Sequence, residues 1–170
     1  MSVNITSTEQ IARLRSDLRL GLPVIISEDS TRAVVLSVEA CEKNRLEKLL
    51  SIKTQKPYLA ITSRRAHTLK ARIYDKDIAR LKLPRDFSLR WLINTSDPTS
   101  DLDWPMKGPY NSIRQGKSDV ARAAIELCKK TQLLPAAIII PISKRVSLEL
   151  RNEGLQETLA HDILKTKNDK

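Results

Sequence analysis

Four short aliphatic runs constrain this fold more than any other feature: PVIIS (Pro23 to Ser27), AVVLSV (Ala33 to Val38), YLAIT (Tyr58 to Thr62) and AAIIIPI (Ala136 to Ile142). They are β-branched, short and bounded by turn formers, which is the pattern of strands in a covered sheet. Helical spacing fills the intervals. Ser7-Thr8-Glu9-Gln10 fits a capping box, Ile11, Leu14 and Leu18 form the stripe behind it, and Gly21 with Pro23 supplies the stop. A second helix is predicted over Glu42 to Ile52, with Leu46, Leu49 and Leu50 inward. Ser63 reads as the cap of a short basic helix, Leu89 and Leu92 mark another, and Val120, Ala123, Ala124, Leu127 and Cys128 mark one that runs to about Leu133. A last strand is expected near Val146 to Leu150 and a helix over Ala160 to Lys165. Strands alternating with helices predict one α/β (α+β) domain over residues 1–170, a sheet covered by helices, with its core at 7–165 and a charged tail at 166–170.

A chain of 170 residues buries roughly 70% of its unfolded surface and needs no staples. Cys41 and Cys128 are far apart, which excludes a CxxC redox motif and a four-ligand zinc site; both read as buried free thiols. No apolar stretch approaches the roughly 20 residues that cross a bilayer. MSVNITSTEQ lacks the layout of a signal peptide, so a cytoplasmic protein is expected. The net charge of +10 steers phosphate-bearing partners toward the surface. Aromatics are only 4% of the chain, whereas single-strand binders interleave basic and stacking residues; this argues against a nucleic-acid module, which stays a third reading.

Two places carry candidate chemistry. Glu28 and Asp29 form an acidic turn between the first two strands, either a hairpin tip or the remnant of a metal site. The long stretch from Thr95 to Asp119 is punctuated by Asp97-Pro98, Trp104-Pro105 and Gly108-Pro109 and leads into a helix capped by Ser118 or Asp119. Arg114, Lys117 and Ser118 there read either as an ordinary capped helix start with solvated basic neighbours or as a phosphate or other anion site, because free backbone N–H groups and the dipole favour negative charge. His67 and His161 have no companion carboxylate and nucleophile in sequence reach and read as surface or helix-end residues.

The order of IARLRSDLRLGLPVIISED, VEACE, AITSRRAHTL and IELCKKTQLLPAAIIIPI resembles the dihydroxybutanone phosphate synthase family of riboflavin biosynthesis. It is closer still to the degenerate version of that domain fused ahead of GTP cyclohydrolase II in some bacteria. The resemblance covers most of residues 7 to 165 and implies that family's mixed sheet and a homodimer.

Active members, by the same resemblance, use Mg²⁺ to convert ribulose 5-phosphate into formate and a four-carbon phosphate, with an acidic DRENEGD run after the first strand. Here Glu28 to Arg32 stand in its place and no Glu-Asn-Glu follows Arg32. The second motif, RxGHTEA, brings a histidine ligand. Arg114 to Asp119 follow its outline with Lys117 at the histidine position; a register counted back from Pro135 falls on Val120 to Ala123, again without histidine. Magnesium needs an octahedral oxygen shell and enolisation a second acid/base, so Glu28 and Asp29 are too few. The expectation is therefore no catalytic residues, no metal and no cofactor. It is a degenerate domain acting as scaffold, dimerisation or regulatory module, with a GTP cyclohydrolase II domain and a phosphorylated small molecule as possible partners. A residual Mg-dependent phosphosugar lyase is the second reading. The cyclohydrolase's three-cysteine zinc site is not encoded in these residues, so the chain is expected to be a piece of a longer protein or a product without that half.

Overall fold

The computed structural model describes residues 3–52, 56–105 and 108–165; the tail at 166–170 lies outside the described residues. In chain order the elements are α1 (Ser7–Arg19), β1 (Val24–Glu28), β2 (Thr31–Ser37), α2 (Lys43–Leu50), β3 (Tyr58–Thr62), α3 (Ser63–Thr68), β4 (Ile78–Lys82), α4 (Leu89–Ser96), a 3-10 turn (Pro98–Ser100), α5 (Asp119–Lys130), β5 (Ala136–Pro141), α6 (Lys144–Asn152), β6 (Glu157–Leu159) and α7 (Ala160–Lys165). The six strands form one mixed sheet in the order β4-β3-β5-β2-β1-β6. All neighbours are antiparallel except β1 and β6.

The aliphatic runs are explained by burial on both faces, since strand side chains alternate. Val24 and Ile26 of β1, Val35 of β2 and Ile139 of β5 pack under α1, α5 and α7. Their neighbours Ile25, Val34, Leu36, Ile138 and Ile140 pack under α2, α3, α4 and α6. Helix α5 lies at the centre of the first layer, its alanines 121, 123 and 124 fully buried. Lacking bulk, they let the helix approach the strands closely.

Several boundaries differ from the sequence reading. The capping box of α1 begins at Thr6, whose hydroxyl accepts from the Glu9 N–H while the Glu9 carboxylate accepts from the Thr6 N–H; Ser7 is already helical. Likewise Thr62 caps α3 in place of Ser63, and α5 ends at Lys130. Cys128 is buried but Cys41 is only half-buried, in the turn before α2.

The largest correction is at Val146 to Leu150, which is helical within α6. Val146, Leu148 and Leu150 alternate as a strand would, yet Leu148 is half exposed while Ser147 and Leu150 are buried. The Ser143 hydroxyl accepts from the Val146 N–H and starts the helix. The last strand is β6, which continues directly into α7. Strand β4 was not anticipated, because Arg80 and Lys82 interrupt its apolar run.

Candidate functional site

The acidic turn is a two-residue hairpin. Glu28 pairs with Thr31, and Asp29, with φ +52, occupies the left-handed region that Asp tolerates. Neither carboxylate is unengaged. A Glu28 oxygen accepts the His161 backbone N–H at 3.0 Å and so ties β1 to the start of α7. Asp29 meets the Lys117 ammonium at 3.1 Å, joining two candidate positions 88 residues apart in sequence. Both side chains are about two-thirds exposed, so the pair is screened and adds little stability. The hydrogen bond and charge of Asp29 raise the Lys117 pKa above the usual ammonium value.

The remaining anion candidates also have partners. The Arg114 guanidinium lies over the Tyr74 ring, 5.7 Å from its centroid. Ser118 occupies the N-cap of α5 without a side-chain capping bond, and its hydroxyl accepts from Arg122 at 3.2 Å.

Beneath this surface sits a network that sequence reading missed. Arg80 is 4% exposed and binds both oxygens of Asp75, at 3.0 and 3.3 Å. Its remaining N–H groups donate to the carbonyls of Gly116 and Lys117, both at 3.3 Å. Arg122 donates to Asp77 and to the Asp75 carbonyl, each at 2.8 Å. Two arginines thus fix the loop that presents Lys117 and Ser118. The available sequence signal was a lone arginine inside IARLK, a cation that a buried strand accepts only with a carboxylate opposite.

The residues present do not fit a magnesium centre. Glu28 and Asp29 are taken by an N–H group and an ammonium, and among the described residues no group of three His, Cys, Asp or Glu side chains is placed to hold a metal. His67 lies on α3 and His161 at the start of α7, both exposed.

A cation-free crystal structure of 3,4-dihydroxy-2-butanone 4-phosphate synthase superposes with a TM-score of 0.67, covering 94% of this chain and 98% of that one at 11% identity. The fold is that of the dihydroxybutanone phosphate synthases. The Candida albicans synthase gives a TM-score of 0.65 at 11% identity, covering 93% of this chain and 97% of its own. In sequence, the chain is 29% identical over 155 residues to a GTP cyclohydrolase-2 of Azospirillum brasilense. That match takes in 91% of this chain but spans 39% of the relative's length. No family model matches the chain. Among the described residues, no helix of this synthase fold is long and apolar enough to cross a membrane.

Proposed function

We propose that this chain is a catalytically degenerate synthase-like domain of a GTP cyclohydrolase II-type protein, acting as a homodimeric scaffold or regulatory module in riboflavin biosynthesis. The observation that carries this reading is the hairpin tip, where both carboxylates serve internal contacts, Glu28 to the His161 backbone N–H and Asp29 to Lys117, and where among the described residues no group of three His, Cys, Asp or Glu side chains is placed to hold a metal. The cyclohydrolase likeness over 91% of the chain supports the same assignment. Supplied with ribulose 5-phosphate and Mg²⁺, the chain is expected to release no formate above a protein-free control. Formate release abolished by EDTA would establish the lyase reading instead, and a monomeric mass by light scattering would remove dimerisation from the proposal.

The surface around Arg114, Lys117 and Ser118 suits inorganic phosphate or a small phosphorylated molecule. Any such anion competes with Asp29 for Lys117. Asp29→Asn is therefore expected to strengthen inorganic phosphate binding several-fold in an NMR titration. Arg114→Ala combined with Lys117→Ala should weaken it about tenfold or more, with the unfolding midpoint nearly unchanged. Equal phosphate affinity in all three proteins would show that the site does not exist.

A further inference from the structure

The chain has six aromatic residues, two Trp, three Tyr and one Phe. Three of them, Trp91, Trp104 and Tyr110, line one cavity of about 300 Å³ beside α4, together with Arg90, Asn94 and Thr95. The Trp91 and Tyr110 rings are tilted by 50° with centroids 5.9 Å apart. The Tyr110 hydroxyl is anchored to that of Thr95 at 3.2 Å. These two rings form a fixed wall.

The opposite side is more exposed. Trp104 is 45% exposed, and the Arg90 guanidinium lies 5.1 Å from its ring centroid. Arg90 has no carboxylate partner among the described residues; nearby Asp101 is engaged by both terminal nitrogens of Arg65 at 2.6 and 2.8 Å. The Asn94 side-chain amide likewise has no hydrogen-bond partner among the described residues; Arg65 donates to the Asn94 backbone carbonyl instead.

A wall of π faces, an amide without a partner and a cation held by an indole face, both so among the described residues, suit a particular ligand class. A planar heteroaromatic ring stacks on tryptophan or tyrosine whatever its identity. An amide offers a donor and an acceptor to a ring edge. A guanidinium exchanges a weak π contact for a charge-assisted bond to phosphate. We infer that the cavity binds a mononucleotide, with the base against Trp91 and Trp104, Asn94 at the base edge and Arg90 on the phosphate. This goes beyond the proposed scaffold role and uses none of Glu28, Asp29, Arg114, Lys117 or Ser118.

Both tryptophans of the chain line the cavity, so intrinsic fluorescence excited on indole reports on it directly. Adenosine 5′-monophosphate is expected to quench that signal saturably in the intact chain, adenosine more weakly, and inorganic phosphate not at all. Arg90→Ala should weaken the monophosphate by about tenfold while leaving adenosine unchanged. Trp104→Ala should weaken both, the signal then coming from Trp91. Arg114→Ala with Lys117→Ala should change neither. The inference is overturned if adenosine and guanosine monophosphates give no saturable change at millimolar concentration. It is equally overturned if Arg90→Ala binds the monophosphate as the parent does, or if a short single-stranded RNA quenches where the mononucleotides do not.

Discussion

Replacing Arg80 by alanine is expected to lower the free energy of unfolding by about 3–5 kcal/mol, the cost of leaving a buried charge without its partner. Asp75, with its side chain 9% exposed, would lose both guanidinium bonds. The carbonyls of Gly116 and Lys117 would lose their donor as well. Arg80→Lys should recover only part of the loss, because one ammonium cannot reproduce the planar fork. Arg80→Met combined with Asp75→Leu should be far milder than Arg80→Ala, since removing both charges leaves neither stranded. Urea unfolding of the four proteins decides it. A loss below about 1 kcal/mol for Arg80→Ala, the range of an exposed pair, would mean that solvent reaches Asp75 and the network does not hold the loop.

The same network shows where sequence reading reached its limit. The strands β1, β2, β3 and β5 were legible because burial on two faces demands unbroken aliphatic runs, and Tyr58–Thr62 has the bounds its residues suggested. Strand β4 was hidden because its partner is tertiary: Arg80 is admissible there only with Asp75 placed against it. In α6 a period-two pattern and a helical one coincide over Val146, Leu148 and Leu150, and the Ser143 cap decides between them. The candidate site divides in the same way. The hairpin tip follows from local chemistry, an acidic pair between two strands. Its pairing with Lys117 spans 88 residues and depends on sheet order, which no local spacing encodes.

Stability is expected to fall steeply as pH rises from about 9 toward 12, with Cys128 the main cause. This thiol is fully buried on α5, its S–H directed at the Ala136 carbonyl at 3.8 Å, and burial pushes its pKa up to about 12 from an ordinary value of 9.0. Burial also raises Tyr58 to about 12 and the half-buried Cys41 to about 11. The charged form of each group is the deprotonated one, so the folded chain keeps its protons to higher pH than the unfolded chain does. Below the unfolded values these shifts cost nothing. Above them the unfolded chain ionises alone and is favoured, until the folded values are reached.

For Cys128 the loss at pH 11 is about 2–3 kcal/mol, some two pH units of differential ionisation. Cys41 contributes less, because solvent screens it. Replacing Cys128 by alanine removes the sulfur from a packed helix face and should lower stability at pH 7 by roughly 1 kcal/mol. It also removes the largest titrating group, so unfolding free energy plotted against pH should be flatter for Cys128→Ala than for the parent between pH 9 and 11. The two curves should converge or cross in that interval. Parallel curves would mean that the thiol ionises as readily in the folded chain as in the unfolded one, which requires water to reach the interface between α5 and the sheet.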